Sequence, residues 1–129
     1  MPEWRVLIVE DDVPTRDFFA DSVSSCGQLH LVAGVGTFEE ARALIEDQDQ
    51  VIDILLTDLA LPDGNGLDVL DAMRAEPRLR DVPVMVISAV ADARLFEDAR
   101  ARGASACLSK PVDLQEVRQV ALGLLYSGS

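Results

Sequence analysis

The chain has 129 residues and a formal net charge of −12, from 23 acidic and 11 basic side chains. This length is typical of a single domain, and no apolar run is long enough to cross a membrane. The acidic composition argues against direct binding to nucleic acid, because phosphate backbones would repel it. Cys26 and Cys107 lack the spacing of a zinc site or a disulfide framework, so we expect a reduced, cytoplasmic protein.

Five short apolar runs predict five buried strands. The runs are largely continuous rather than alternating, which is typical of strands that are covered on both faces. In chain order they are RVLIV (5–9), LVAGV (31–35), DILLT (53–57), VPVMVIS (82–88) and SACLS (105–109).

Segments with helical periodicity follow each of these strands. Proline favours the first turn of a helix, and Thr, Asn or Asp side chains cap its first free N–H groups. The start signals are Pro14, Thr37 with Glu40, Asn65, Asp92 for a helix over 92–102, and Asp113 with Glu116. The stop signals are Gly27, Pro77 and Gly103. This alternation predicts an α/β domain with a parallel sheet and helices on both faces.

Acidic side chains follow two of the predicted strands. Glu10, Asp11 and Asp12 come directly after the first strand, and Asp58 comes directly after the third. If these strands are neighbours, Asp11, Asp12 and Asp58 converge at the carboxyl edge of the sheet, where open α/β sheets bind ligands. Three close carboxylates repel one another unless a cation is bound, and an oxygen site with few protein ligands suits Mg²⁺. Asp12 could instead be a helix cap for the segment at Pro14.

The fourth and fifth strands also end in polar groups. The fourth ends in Ser88, and the fifth runs into Lys110, which is the only lysine beside ten arginines. A hydroxyl can bind a phosphoryl or carboxylate oxygen. A compact ammonium fits between a carboxylate and a phosphoryl oxygen, where the wide fork of arginine would displace something. All four strand ends therefore carry groups that fit one site.

Four segments, VLIVEDD, LLTDLALPDGNGLDVL, VMVISA and GASACLSKP, occur in a specific order and spacing. In these segments the chain resembles the receiver domain of two-component response regulators, and the resemblance covers essentially its whole length. It implies a flavodoxin-like fold, a doubly wound five-stranded parallel sheet of order 2-1-3-4-5 with helices on both faces. The receiver domain would span residues 1–126, and residues 127–129 would be either the start of a linker or the end of the expressed segment.

The resemblance also implies the chemistry of the site. Asp58 would accept a phosphoryl group from a sensor histidine kinase or a phosphotransfer protein. Asp11, Asp12, Asp58 and the backbone carbonyl of Ala60 would bind Mg²⁺. Such a domain promotes its own phosphorylation and dephosphorylation and is not an enzyme acting on a separate substrate.

Two further site residues come from the same resemblance. Ser88 and Lys110 would contact the phosphoryl oxygens, so that the metal and the lysine neutralise charge in the transition state. The bond between Lys110 and Pro111 would be cis.

Three positions depart from the common pattern of the family. Cys107 stands three residues before Lys110, where many members have a Tyr, Phe or His that changes rotamer on activation. We expect the thiol to be a small packing residue instead. Ala60 and Val90 flank the path of the hydrolytic water, and neither side chain can position that water.

The output of the domain is predicted by similarity alone. LHLVAGVGTFEEA and LPDGNGLDVL are most similar to receivers joined to helix-turn-helix domains of the LuxR/NarL type. This favours a transcription regulator with a DNA-binding domain on the C-terminal side, with a homodimer as one possible assembly. A stand-alone regulator that acts by protein contacts is the alternative.

Three other classes fit less well. A haloacid-dehalogenase-type phosphatase would have a second Asp where Ala60 stands, and a flavin-binding flavodoxin would need a phosphate loop in place of EDDVPT. A pseudo-receiver that binds partners without phosphorylation would not need the complete set of acids, hydroxyl and lysine.

Overall fold

The computed structural model describes residues 3–89 and 93–127. Its centre is a five-stranded parallel sheet, and the five strands are numbered here in chain order. They are β1 Trp4–Val9, β2 Leu29–Val35, β3 Ile54–Thr57, β4 Val84–Ser88 and β5 Ala106–Ser109. In the sheet their order is 2-1-3-4-5, with every neighbouring pair parallel. The predicted flavodoxin-like fold is therefore confirmed, and the strands lie close to the predicted runs.

Five α-helices connect and follow these strands. They are α1 Val13–Ser24, α2 Phe38–Glu46, α3 Gly66–Ala75, α4 Ala93–Ala101 and α5 Leu114–Ser127, with a short 3₁₀ turn at Pro77–Leu79. None of the described helices is long and apolar enough to cross a membrane. The predicted start of the fourth helix at Asp92 lies outside the described residues.

Side-chain caps explain where several helices begin. Asn65 accepts hydrogen bonds from Leu67 and Asp68, and the Asp68 carboxylate accepts one from the Asn65 N–H, which completes a capping box at α3. Thr37 accepts from the N–H of Glu40 at α2, as predicted. At the other end of a helix, Gly103 has a φ of +104° just after α4, a conformation that favours glycine.

One predicted helix end was wrong. Helix α1 ends at Ser24, before the predicted stop at Gly27, because the next N–H, that of Cys26, bonds to the carbonyl of Val23 three residues back and the Ser25 hydroxyl donates to the carbonyl of Ser22. Gly27 lies in the following turn instead.

Alternate residues of each central strand enter two separate cores. One core lies between the sheet and α2, α3 and α4, and the other lies between the sheet and α1 and α5. In β1, Leu7 and Val9 belong to the first core, whereas Val6 and Ile8 belong to the second. All four are at most 1% exposed, which explains why the strand sequences are continuously apolar.

A two-residue hairpin follows β3 and was not predicted. Ala60–Leu61 pairs antiparallel with Gly64–Asn65, directly before α3. Its strands are too short to carry a hydrophobic period, so the sequence contains no signal for them. The hairpin matters because it begins two residues after Asp58 and therefore shapes one wall of the carboxyl edge.

Candidate functional site

Lys110 lies between two nearly buried carboxylates at the carboxyl edge of the sheet. Its Nζ is 2.5 Å from Oε1 of Glu10 and 2.8 Å from Oδ2 of Asp58. Glu10 is 1% exposed and Asp58 is 7% exposed, so neither carboxylate has free access to water. Buried charges need such partners. The single lysine therefore joins the end of β5 to the ends of β1 and β3.

The charges of this group influence one another. Burial raises the pKa of Glu10 to about 7, and the nearby Asp58 adds to that rise while the hydrogen bond from Lys110 opposes it. Burial alone would lower the pKa of Lys110, but its hydrogen bonds to Asp58 and Glu10 outweigh burial and raise it. Lys110 therefore stays charged near neutral pH, whereas Glu10 exchanges its proton there.

Three carboxylates at this edge could hold a cation. Glu10, Asp11 and Asp58 each offer an oxygen, and these oxygens lie within 4.8 Å of one another. Two ligands of one Mg²⁺ at about 2.1 Å each can be at most about 4.2 Å apart, so small side-chain rotations would close the set. Asp11 is exposed, which leaves one side open to water. The donor chemistry of the three residues therefore fits Mg²⁺.

Asp12 lies outside this group of three. Its Oδ2 accepts a 3.1 Å hydrogen bond from the Thr15 N–H and a second, short one from the Thr15 hydroxyl. The hydroxyl and then the N–H of Thr15 lower the pKa of Asp12. Asp12 is thus the N-cap of α1, which was the alternative open to it in the sequence.

The remaining predicted site residues lie at the same edge. Ser88 is fully buried at the end of β4, and its carbonyl accepts a 2.9 Å hydrogen bond from the N–H of Lys110. The N–H of Ala60 donates to Oδ1 of Asp58 at 3.2 Å. The peptide bond between Lys110 and Pro111 is cis, as predicted. Val90, the other position on the predicted water path, lies outside the described residues.

Sequence reasoning left Glu10 out of the site, although it makes the closest contact with Lys110. Two signals could have found it. Glu10 directly follows the last buried residue of β1, so it lies nearer the sheet than the two acids after it. The single lysine at a strand end also needs carboxylate partners, and Glu10 is the acid that lies nearest the sheet beside Asp58.

Gly66 holds the loop after β3 against Asp58. A Cβ at Gly66 would lie 2.2 Å from the carbonyl oxygen of Asp58 and 3.0 Å from Cα of Leu59. The N–H of Gly66 donates to the Leu59 carbonyl at 2.9 Å. The first residue of α3 therefore touches the backbone of the phosphoacceptor candidate, and only glycine leaves room for that contact.

An open, mainly apolar groove of about 490 Å³ borders the site on the side of α1. It is lined by Pro14, Thr15, Phe18, Phe19, Lys110, Pro111 and Val112. Because Lys110 belongs to both, the groove and the carboxylate group form one continuous surface.

Cys107 lies away from these groups, against α4. Its thiol is 3.9 Å from the carbonyl oxygen of Phe96, and burial raises its pKa. A protonated, half-buried thiol in this place is a packing residue, as predicted.

Comparison with known proteins decides the family. The sequence-family model that describes the response regulator receiver domain matches residues 6–122. The chain belongs to the response regulator receiver domains. In this receiver domain, Glu10, Asp58 and Lys110 meet at the carboxyl edge of the sheet, beside the end of the strand that carries Ser88.

Curated relatives of this receiver domain are mostly longer proteins. The transcriptional regulatory protein CitT of Halalkalibacterium halodurans is 28% identical over 90% of this chain and 50% of its own length. A protein-glutamate methylesterase/protein-glutamine glutaminase of Caulobacter vibrioides is 31% identical over 88% of this chain and 32% of its own length. The chain thus spans half or less of these two relatives.

Solved receiver structures share the fold. The receiver domain of the NarL response regulator from Mycobacterium tuberculosis superposes with a TM-score of 0.87, at 24% identity and 98% coverage of both chains. The receiver domain of the sensor histidine kinase PA1611 from Pseudomonas aeruginosa has a TM-score of 0.84 at 23% identity, covering 96% of this chain and 98% of its own, and carries a magnesium ion in its active-site cleft. The acidic group at the corresponding sheet edge of this chain offers the oxygen ligands that suit Mg²⁺.

Proposed function

We propose that Asp58 is the phosphoacceptor and takes its phosphoryl group from a sensor histidine kinase or a phosphotransfer protein. The observation that carries this proposal is the contact of Lys110 with Asp58 at 2.8 Å, beside two further carboxylates. An Asp58 oxygen would attack phosphorus while the P–N bond of a donor phosphohistidine breaks and the donor imidazole takes up a proton. The positive charge of Lys110 would neutralise the phosphoryl oxygens.

The proposed Mg²⁺ ligands are Asp11, Asp58 and the backbone carbonyl of Ala60, with one further acid. The sequence predicted Asp12 as that acid, whereas the distances favour Glu10. When bound, Mg²⁺ neutralises charge on the transferred phosphoryl group. Before transfer, Glu10 and Asp11 would hold the cation beside Asp58.

Lys110 and Ser88 are the proposed contacts of the phosphoryl oxygens. Lys110 already bridges Asp58 and Glu10, so it can pass from the Asp58 carboxylate to a phosphoryl oxygen without leaving the site. The hydroxyl of Ser88 would donate a hydrogen bond to a second oxygen. Movement of the end of β4 towards the phosphoryl group would then carry the change to α4.

The test is phosphorylation by acetyl phosphate or phosphoramidate with Mg²⁺, read as intact mass. We expect the wild type to gain one phosphoryl group, Asp58→Asn to gain none, and Asp81→Asn, at an exposed acid far from the site, to behave as wild type. Chelation with EDTA should abolish labelling. Labelling of Asp58→Asn at the wild-type rate would refute the assignment, and undiminished labelling in EDTA would refute the role of Mg²⁺.

A second experiment identifies the fourth Mg²⁺ ligand. Calorimetric titration with Mg²⁺ should give much weaker binding for Glu10→Gln than for Asp12→Asn if Glu10 is the ligand. The reverse order would favour the prediction from the sequence.

We propose further that the domain regulates transcription through a DNA-binding domain on its C-terminal side. The support is similarity to CitT, of which this chain matches 50%. A histidine-kinase partner would place the domain in the cytoplasm, and we propose that the domain turns over no separate substrate. The reading frame of the gene tests the output: a stop codon directly after Ser129 would contradict the DNA-binding version and favour a stand-alone regulator.

A further inference from the structure

The side chain of Arg16, on α1, crosses the end of β2 and packs against two glycines, Gly34 and Gly36. A Cβ at Gly34 would lie 3.3 Å from Cγ and Cδ of Arg16, and a Cβ at Gly36 would lie 2.7 Å from its Nη1. Both distances are shorter than ordinary van der Waals contact. A side chain at either position would therefore push Arg16 away from the sheet.

The guanidinium of Arg16 binds the backbone of the turn from Glu10 to Asp12. Nη1 donates to the carbonyl oxygen of Glu10 at 3.2 Å. In the described part of the chain this is the only hydrogen bond of the guanidinium, and it forms no ion pair there. Its charge is therefore not committed to a carboxylate and remains next to the turn.

The Glu10 carbonyl belongs to the peptide that joins two of the three clustered acids, Glu10 and Asp11. On its other side, the Glu10 N–H is held by the carbonyl of Val35 at 2.8 Å, and the Glu10 carboxylate accepts from the Asp12 N–H at 3.2 Å. A charge-assisted bond to the carbonyl completes the set of contacts that orient this peptide. Rotation of the peptide would move the Glu10 and Asp11 side chains relative to Asp58.

We propose that Arg16 is a positioning residue for the cation site. It fixes the Glu10–Asp11 peptide so that both carboxylates face Asp58. Gly34 and Gly36 have no side chains, which leaves room for Arg16 to reach the Glu10 carbonyl. This inference rests on the proposed Mg²⁺ ligands. Arg16 does not touch the cation. It sets the affinity of the site by reducing the number of conformations that its ligands sample.

Three variants test this proposal. Arg16→Met removes the charge and the donors but keeps a long side chain, Arg16→Lys restores the charge, and Gly36→Ala displaces the unchanged Arg16. Gly27→Ala is the matched control, because a Cβ there has no neighbour within 4 Å. Isothermal titration with MgCl₂ gives the affinity, and backbone amide NMR without metal shows whether the turn from Glu10 to Asp12 has moved.

We expect Arg16→Met and Gly36→Ala each to weaken Mg²⁺ binding by about tenfold, with partial recovery in Arg16→Lys. The double variant Arg16→Met/Gly36→Ala should be no weaker than the single ones, since both changes remove one contact. Phosphorylation should slow at low Mg²⁺ and recover at saturating Mg²⁺. Gly27→Ala should match the wild type.

Wild-type Mg²⁺ affinity in Arg16→Met and Gly36→Ala would overturn the proposal, and so would additive losses in the double variant. Glu10→Gln and Asp11→Asn separate this failure from that of the proposed ligands. If those two variants bind Mg²⁺ as the wild type does, the ligand assignment fails. If they lose binding while Arg16→Met does not, only the role of Arg16 fails.

Discussion

At the scale of single residues, the site is a balance between Lys110 and the acids around it. Without a cation, one ammonium faces three carboxylates, and burial raises the pKa of Glu10 to about 7, so its protonation below that pH reduces the excess negative charge. A divalent cation would remove the need for that proton. If Glu10 is a Mg²⁺ ligand, as proposed, proton and metal would compete for the same carboxylate, and stability and Mg²⁺ binding would depend on pH in opposite ways.

The pKa of Glu10 predicts how stability varies with pH in EDTA. The folded value of about 7 lies above the ordinary 4.5, so the folded state binds the proton more tightly than the unfolded chain does. The stabilisation is complete below about pH 4.5 and is lost as pH rises to about 7. We expect Glu10→Gln to be more stable than the wild type at pH 7.5 by about 1 to 3 kcal/mol.

Urea unfolding at several pH values in EDTA measures this difference. The advantage of Glu10→Gln should shrink towards pH 4.5, and Mg²⁺ should reduce it at pH 7.5, because the tighter-binding wild type gains more stability from the cation. Equal pH dependence of the two proteins in EDTA would show that Glu10 titrates normally.

Lys110→Arg tests whether the shape of the cation matters as well as its charge. The wide guanidinium keeps the charge but does not fit between Glu10 and Asp58, where the ammonium makes 2.5 Å and 2.8 Å contacts. We expect a folded variant that binds Mg²⁺ but loses most of the phosphorylation-dependent change in the amide NMR spectrum. Arg118→Lys on α5 is the control for a basic exchange away from the site. A wild-type spectral response in Lys110→Arg would contradict this prediction.

At the scale of elements, the loop from β3 to α3 is the most constrained connection of the site. It begins at Asp58, forms the two-residue hairpin, and ends in the capping box of Asn65 and Asp68. Gly66 then returns to the Asp58 backbone. The loop therefore links the start of a helix to the phosphoacceptor candidate through main-chain contacts.

Gly66→Ala should destabilise the fold by about 2 to 4 kcal/mol, because the new Cβ would overlap the Asp58 carbonyl and the backbone must move. Gly123→Ala in α5 has the opposite expectation. A Cβ there meets no atom within 4 Å, and alanine favours a helix over glycine by about 0.5 to 1 kcal/mol. Thermal unfolding of both variants measures the contrast. A Gly66→Ala protein as stable as the wild type would show that the loop backbone can move away from the new Cβ at little cost in free energy.

At the scale of the whole molecule, the net charge of −12 and the acidic edge of the sheet lead us to expect that divalent cations stabilise the fold. The acids of the site come from β1 and β3, and Lys110 joins β5 to both. A cation held by these acids would therefore bind only when the sheet is formed. A ligand of the folded state alone stabilises it by mass action.

Mg²⁺ should therefore raise the midpoint of thermal unfolding, with about 1.4 kcal/mol of added stability at ten times its dissociation constant. NaCl at the same ionic strength should add less, because screening acts on all surface charges without occupying the site. Calorimetric scans of the wild type and Asp58→Asn give the comparison. An identical response to Mg²⁺ in both proteins would mean that the cation acts elsewhere.

The sequence by itself determined the five strands of the parallel sheet, the five helices and the edge where the candidate site lies. Buried strands and capped helices depend on neighbours a few residues apart, so their signals are local. Asp58, Ser88 and Lys110 follow strands directly, and a parallel sheet brings such positions to one edge. The roles of these residues stay predictions until the variants are measured.

Only the tertiary structure decided which acid after β1 turns inward. A local sequence pattern does not distinguish the three consecutive acids after β1. In the fold, Glu10 contacts Lys110, which is 100 positions away in the chain, whereas Asp12 caps α1 by accepting from Thr15. The path of Arg16 over Gly34 in β2 and Gly36 just after it is another contact between separate elements. Such contacts depend on how neighbouring elements pack, and a single sequence contains no local signal for that packing.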